Sequence, residues 1–105
     1  MTKPLVLVAT IRALPGHEDS VESALQALVE PTLAEAGCRQ YDLHRDLDTP
    51  GLFLFYEIWS TRADWEAHND SEHISSMLQQ TQEMIEDPVI VQLEKIGRQA
   101  ADQSF

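Results

Sequence analysis

The segment Leu52–His73, LFLFYEIWSTRADWEAHNDSEH, carries most of the information about the fold of this chain. Its first eight residues are apolar apart from one carboxylate, Glu57. A run of this length without polar alternation predicts a strand that is covered on both faces. The tryptophans and histidines of the segment are Trp59, Trp65, His68 and His73. One acid and two imidazoles beside a buried strand are the candidate chemical groups of the chain.

Three further strands are predicted around this segment. The predicted strands, in chain order, are Leu5–Leu14, Cys38–Leu47, Leu52–Ser60 and Val89–Ile96. They are rich in β-branched and aliphatic residues, or they alternate polar with apolar positions, as strands do. The turn sequence DTPG at 48–51 joins the second strand to the third, which indicates a hairpin.

The first helix is predicted from about Glu18, after the turn at Pro15-Gly16. Its apolar positions recur at helical spacing and are Val21, Leu25, Leu28, Val29 and Leu33. Pro31 lies inside this pattern, and a proline inside a helix removes one hydrogen bond and clashes with the preceding turn. We therefore expect a kink or a break before Gly37.

The second helical region is predicted in two pieces. Thr61 begins a capping-box pattern and opens a short helix through His68. The break at 69–71 ends that helix. Ser71, the last residue of the break, caps a longer helix over Glu72–Glu86. The buried positions of the longer helix are predicted to be Ile74, Met77, Leu78 and Ile85.

The predicted order is β-α-β-β-α-β in one domain, residues 1–105, with its core at about 5–96 and a polar tail at 97–105. This order is that of a ferredoxin-like fold of the α+β class, an antiparallel sheet with its helices on one face. The opposite face would meet water in a single copy, yet the third strand is apolar on both faces. Because soluble monomers rarely expose large apolar patches, we expect a homodimer that covers this face. The tail is expected to be mobile or to contact another chain.

The charge balance of the chain argues against two classes of partner. Eighteen acidic and seven basic residues give a net charge of −11, which opposes binding to nucleic acids and to anionic membranes. Cys38 is the single cysteine, so no intrachain disulfide forms. The sequence shows neither a secretory signal nor an apolar stretch of membrane length, and we expect a cytoplasmic location.

Glu57 is the candidate acid or base of the third strand. Its aromatic neighbours would desolvate the carboxylate and raise its pKa, as a general acid or base requires. The alternative is a structural ion pair with Arg12 or Arg45.

His68 and His73 are candidates for a proton acceptor, since imidazole titrates near neutral pH. Their spacing of five residues is poor for two ligands on one helix face, so no metal is predicted, although Asp70 and Glu72 lie nearby. The alternative for each histidine is a hydrogen bond to a carbonyl at a helix end or packing against Trp65.

The two tryptophans, Trp59 and Trp65, are either core residues or the walls of a pocket for a flat aromatic ligand. Met77 is a candidate to line the same pocket. The chain has no phosphate-binding loop, no dinucleotide glycine fingerprint and no serine-hydrolase elbow, so no nucleotide or flavin cofactor is predicted.

Four motifs, in order, resemble the antibiotic biosynthesis monooxygenase domain family over roughly residues 5–96. They are Pro15-Gly16-His17-Glu18, Ala36-Gly37-Cys38-x-x-Tyr41-Asp42-Leu43, Phe55-Tyr56-Glu57-Ile58-Trp59 and Ala67-His68-x-x-Ser71-x-His73. One motif departs from the family pattern: Glu35-Ala36-Gly37-Cys38 lacks the proline of a Glu-Pro-Gly-Cys sequence.

The resemblance implies a dimeric α+β barrel and the oxygenation of a quinol or another phenol by dioxygen, with no metal or flavin cofactor. It also implies roles for individual residues. His68 or His73 would be the base, and Glu57 would orient or polarise it. The residues that would shape the cavity are Trp59, Trp65 and Phe55. Two other functions are compatible with the same scaffold: a non-catalytic dimeric barrel that binds a small hydrophobic ligand, and an isomerase.

Overall fold

The computed structural model describes residues 3–97, so the predicted tail lies outside the described residues apart from Gly97. These residues form four strands and four helices. In chain order they are β1 (Leu5–Arg12), α1 (Glu18–Gln26), α2 (Val29–Leu33), β2 (Cys38–Arg45), β3 (Leu52–Trp59), α3 (Arg62–Asn69), α4 (Glu72–Thr81) and β4 (Val89–Leu93).

The four strands form one antiparallel sheet in the order β2-β3-β1-β4. The two central strands, β1 and β3, pair along their whole length from Leu5 opposite Trp59 to Arg12 opposite Leu52. This is the ferredoxin-like arrangement of the α+β class that the order of elements predicted. None of the helices α1 to α4 is long and apolar enough to cross a membrane.

The core lies between the helices and one face of the sheet. The alternate residues of β3, Phe53, Phe55, Glu57 and Trp59, point into it and are all nearly inaccessible to solvent. Helix α1 contributes Val21 and Leu25, each 0% exposed. Because side chains alternate across a strand, a glutamate two residues from Phe55 and from Trp59 must share their buried face.

Pro31 breaks the first helical region as expected. Helix α1 ends at Gln26 and α2 begins at Val29, so Pro31 is the third residue of a new helix, where its missing N–H is tolerated. The break changes which residues face the core. Leu33 was expected to be buried and is 48% exposed, whereas Thr32 is 0% exposed. The prediction for Leu33 was wrong because it extended the helical spacing of the first helix across the break, whereas α2 begins anew at Val29.

Helix α4 ends at Thr81, five residues before the predicted end at Glu86. The following segment pairs with the end of β1 instead of continuing the helix. The N–H of Leu14 donates to the carbonyl of Met84 at 2.7 Å, and the N–H of Glu86 donates to the carbonyl of Arg12 at 2.9 Å. As a consequence Ile85 leaves the helix. Leu78, predicted to be buried, is 44% exposed.

The strands are also shorter than predicted. Strand β2 stops at Arg45 because the carboxylate of Asp46 accepts the backbone N–H groups of Asp48 and Thr49, which begins the turn. Leu47, the last residue of the predicted strand, is therefore outside it and 96% exposed. Strand β4 stops at Leu93, which pairs with Val6 of β1, three residues before the predicted end at Ile96.

The other two strands end where turns or caps begin. Strand β1 ends at Arg12, two residues before the predicted Leu14, although Ala13 still makes a single bridge to Ile85. Strand β3 ends at Trp59, one residue before the predicted Ser60, because the chain must turn there to reach the cap of α3 at Thr61.

The face of the sheet that points away from the helices is apolar and partly exposed in the single chain. Strand β4 contributes Val89, Val91 and Leu93, which are between 43% and 60% exposed. The register of the sheet aligns them with Thr10, Val8 and Val6 of β1, and then with the half-buried outer residues of β3. We call this surface the outer sheet face; its β3 residues are Leu52, Leu54, Tyr56 and Ile58.

Candidate active site

A cavity of about 110 Å³ lies between the sheet and the helices α3 and α4. The sheet lines it with Leu7, Ala9, Ile11, Tyr41, Phe55, Glu57 and Ile90, and the helices α3 and α4 line it with Trp65, His68, Asn69, Ile74, Met77 and Leu78. Leu28, between α1 and α2, and Pro88 complete the lining. Most of these residues are apolar, and none is lysine or arginine. The lining residues that are themselves exposed, such as Leu78 and Ile90, mark the mouth of the cavity.

Glu57 is the only carboxylate that lines this cavity within the described part of the chain. Its Oε1 accepts a hydrogen bond of 2.9 Å from the indole Nε1 of Trp59, two residues further along the same strand face. Burial raises the pKa of Glu57 to about 7; the bond from Trp59 lowers it, and the negative charge of Glu35 raises it further. A group with this pKa is partly protonated and partly ionised near neutral pH, as a general acid or base requires.

The alternative of a structural ion pair for Glu57 is wrong. Arg12 approaches Glu86 at 3.7 Å, and Arg45 hydrogen-bonds Glu22 at 2.9 Å. Glu57 therefore lies in the cavity without a counter-ion among residues 3–97, which is the environment that raises the pKa of a carboxyl group.

Because the pKa of Glu57 is raised, we predict that the free energy of unfolding depends on pH. The folded chain holds this proton more tightly than the unfolded chain does, so the stabilisation is complete below pH 4.5 and is lost as the pH rises through about 7. One pKa unit corresponds to about 1.4 kcal/mol, so between pH 5 and pH 8 the loss is roughly 2–3 kcal/mol. Glu57→Gln removes this titration. Urea unfolding at both pH values measures the difference in unfolding free energy between wild type and variant, and an equal difference at pH 5 and pH 8 would contradict the assignment.

His68 lies in the last turn of α3, which begins where the hydroxyl of Thr61 accepts the N–H of Asp64. Trp65 is three residues earlier, so both side chains face the cavity from the same side of the helix. The residue is 3% exposed, and the centroid of its ring lies 4.8 Å from that of Trp59 and 5.5 Å from that of Tyr41. Burial lowers the pKa of His68, and its hydrogen bond and charge contact with Glu35 act in the opposite direction.

The break between α3 and α4 brings the second histidine to the same carboxylate. Oε2 of Glu35 lies 2.6 Å from Nδ1 of His68 and 2.7 Å from Nε2 of His73. The hydroxyl of Ser71 accepts the N–H of Ile74 and so begins α4 beside the end of α3, which places His73 close to His68. We call Glu35, His68 and His73 the Glu35 cluster.

Glu35 was not selected from the sequence as a site residue. It lies 33 residues before His68, in the loop between α2 and β2, and no local spacing connects the two. The one available signal was its place before Gly37-Cys38 in a motif of the family resemblance. Gly37 has φ 82°, and a Cβ there would collide with Asp64, so the loop passes close to α3 and brings Glu35 to the histidines.

The Glu35 cluster also has donor types that suit a divalent transition metal. Its three donor atoms lie within 4.8 Å of one another. A zinc ion would lie about 2.0–2.2 Å from each of them. In the structure, Oε2 of Glu35 is at hydrogen-bond distance from both nitrogens, so the three side chains form a hydrogen-bonded cluster.

Tyr41 lines the cavity and, like Glu35, was not predicted as a site residue. Its ring stacks on Phe55 with a centroid separation of 4.7 Å. Burial, followed by the charge of Glu57, raises the pKa of its phenol, so this hydroxyl stays protonated at neutral pH. Sequence alternation indicated only that Tyr41 lies on the apolar face of β2.

The seven predicted site residues fall into two groups. Five of them line the cavity: Phe55, Glu57, Trp65, His68 and Met77. The other two, Trp59 and His73, lie outside the lining. Trp59 is 0% exposed and lies behind two lining residues, since it donates a hydrogen bond to Glu57 and packs against the ring of His68. His73 is linked to the lining through its contact with Glu35, which also contacts His68.

Two known proteins are similar to this chain in sequence over most of its length. Rv0793 of Mycobacterium tuberculosis is 34% identical over 91 residues, which cover 87% of this chain and 89% of that protein. YcnE of Bacillus subtilis is 30% identical over 87 residues, which cover 83% and 92%. Both are named as candidate monooxygenases, which supports a monooxygenase-like role on a small-molecule substrate.

Solved structures are similar to this chain in fold and sequence. PA3566 from Pseudomonas aeruginosa superposes with a TM-score of 0.88 at 41% identity, over 92% of this chain and 98% of that one. A crystal structure of an antibiotic biosynthesis monooxygenase superposes with a TM-score of 0.83 at 30% identity, over 89% and 99%. The model of the same family matches residues 4–80 of this chain. The chain therefore belongs to the antibiotic biosynthesis monooxygenase family.

Proposed function

We propose that this protein oxygenates a single-ring quinol or a related phenol with dioxygen and without a bound cofactor. The observation that carries the proposal is the pairing of Glu57 and His68 in one apolar cavity. A phenol that loses its proton in such a cavity becomes an electron-rich anion that is able to reduce dioxygen directly. One oxygen atom enters the ring and the other leaves as water. The quinol supplies all the electrons and becomes a hydroxyquinone.

The two titratable groups have distinct roles in this reaction. His68 has a pKa that burial lowers, so it is neutral at neutral pH and accepts the phenolic proton. Glu57, with a pKa of about 7, binds a second hydroxyl group of the substrate and exchanges a proton with it. The apolar walls exclude water, which strengthens both interactions and protects the reactive anion.

The size and charge of the cavity support a small neutral substrate. Its volume of about 110 Å³ is somewhat below the roughly 150 Å³ of an engineered apolar cavity that admits benzene. One aromatic ring is thus the appropriate scale, and fused polycyclic phenols would extend through the mouth. The lining has no lysine or arginine to bind a phosphate, which disfavours an isomerase that acts on phosphorylated diketones.

The outer sheet face supports a homodimer, in which two sheets pack face to face. Val91 of β4, Val8 of β1 and Tyr56 of β3 are neighbours across the sheet and continue the apolar surface over three strands. Covering each such side chain contributes about 1.5–3 kcal/mol at most. A twofold axis on this face would bury the same residues of both copies.

Oxygen uptake tests the proposed reaction. Wild-type protein is incubated with a panel of substituted hydroquinones and naphthohydroquinones, and dioxygen consumption and quinone absorbance are followed together. A blocking variant, Leu78→Trp, places a large ring at the mouth of the cavity. We expect uptake above the buffer rate for one-ring substrates in wild type and a strong reduction in Leu78→Trp. Uptake at the buffer rate for the whole panel, together with tight quinol binding, would instead identify a non-catalytic binding protein.

A further inference from the structure

We propose that Glu35, held by His73, is a positioning residue that fixes the tautomer of His68 with its Nε2 lone pair directed into the cavity. The proposal rests on the proposed function for the role of His68 as base. It also selects His68 over His73 as that base, a choice that the sequence leaves open. Neither the family match nor the named relatives assign a role to Glu35.

The hydrogen bonds of the Glu35 cluster determine where the protons lie. Oε2 of Glu35 lies at hydrogen-bond distance from both imidazoles, at 2.6 Å and 2.7 Å. A carboxylate oxygen has no proton to donate, so each ring nitrogen that approaches it must be the protonated one. His68 is therefore protonated at Nδ1, and His73 is protonated at Nε2. In its neutral form, His68 is left with a lone pair on Nε2.

The second nitrogen of His68 is available to a ligand. Among residues 3–97, no protein group hydrogen-bonds to Nε2 of His68. The one polar side-chain atom there that is both fully buried and without a partner is Oγ1 of Thr32, not this nitrogen. It therefore has accessible surface, although the residue as a whole is 3% exposed. Because His68 lines the cavity and Nδ1 points to Glu35, that surface belongs to the cavity side of the ring.

The burial of the cluster explains the separate roles of its members. The side chain of His68 is 4% exposed, that of Glu35 is 17% exposed, and that of His73 is 22% exposed. Only His68 lines the cavity. His73 is the outer residue, and its bond to the same oxygen keeps the Glu35 side chain in contact with His68 rather than with solvent. Glu35 also stabilises the His68 imidazolium that forms when the substrate proton arrives, as the aspartate of a Ser-His-Asp triad does.

The first test needs no substrate. Nitrogen-15 spectra of the histidine rings distinguish a protonated from an unprotonated ring nitrogen. For wild type at a pH where His68 is neutral, we expect a protonated Nδ1 and an unprotonated Nε2, the reverse of the tautomer that a free histidine side chain prefers in water. Glu35→Gln should give a mixture of tautomers or the reverse form, and Glu66→Gln, an exposed change on α3, should leave the spectrum unchanged. An Nδ1-protonated His68 that persists in Glu35→Gln would overturn the proposal.

The second test measures catalysis with a one-ring hydroquinone. Glu35→Gln should lower kcat by about 10²-fold or more, as expected when the tautomer of a catalytic histidine is lost. Glu35→Asp, which keeps the charge, should recover part of the rate, and the acidic limb of the pH profile should move in Glu35→Gln only. Full activity of Glu35→Gln with an unchanged pH profile would also overturn the proposal. A wild type that is inactive but has the expected tautomer would count against the proposed function and would leave the positioning role of Glu35 supported by the spectra.

Discussion

Replacement of His68 by alanine is expected to lower the rate of hydroquinone oxygenation by about 10²- to 10⁴-fold, the range typical of a lost general base. The phenol then keeps its proton, and the neutral form is a poor reductant of dioxygen. The measurement is steady-state oxygen uptake at saturating substrate. His17→Gln, a change outside the cavity, is the matched control and should retain the wild-type rate.

The loss in His68→Ala must be separated from loss of structure, because His68 is buried against Trp59 and Tyr41. Circular dichroism establishes whether the variant is folded, and added imidazole, which fits the space vacated by the side chain, should restore part of the rate. A folded His68→Ala variant with a rate within twofold of wild type would show that His68 is not the base.

Replacement of Val8 by lysine is expected to dissociate the proposed homodimer. Val8 lies on the central strand β1, between Tyr56 and Val91 on the outer sheet face. A charge buried without a partner costs about 3–5 kcal/mol. A twofold interface would contain two such lysines, so we expect the dissociation constant to rise by at least about 10²-fold. Light scattering over a range of protein concentrations measures the change.

The Val8→Lys prediction has its own control. Glu66→Lys introduces a lysine at an exposed position of helix α3, away from the outer sheet face, and should leave the assembly unchanged. Val8 is only half-buried in the single chain, so the lysine has access to water once the copies separate. Two outcomes would contradict the covered face: a wild type that is monomeric at micromolar concentration, and a Val8→Lys variant that remains dimeric.

The fold was predictable because its signals are local. The apolar run of β3, the break at Pro31 and the caps Thr61 and Ser71 each act within a few residues, and the structure confirms all of them. The ends of elements were less predictable. Helix α4 stops at Thr81 because backbone groups after it pair with β1, a contact between segments about 70 residues apart.

The candidate site shows the same division. Glu57 and His68 stand out in the sequence because a carboxylate in an apolar strand and a histidine beside a cap are locally unusual. Glu35 has no such local signal, because a glutamate in a loop is ordinarily exposed to solvent. Only the folded chain places it beside two histidines. Tyr41 likewise reads as an ordinary core residue of β2. Both became visible only through contacts between distant segments.

The central claim is that the cavity with Glu57 and His68 inserts one oxygen atom of dioxygen into a quinol, and isotope labelling tests it most directly. Protein, a one-ring hydroquinone and dioxygen labelled with oxygen-18 are combined, and the product is analysed by mass spectrometry. We predict a hydroxyquinone that carries one labelled oxygen atom, with the second labelled atom in water, and no such product from His68→Ala. An unlabelled quinone, formed with hydrogen peroxide or at the rate seen in buffer alone, would contradict the claim.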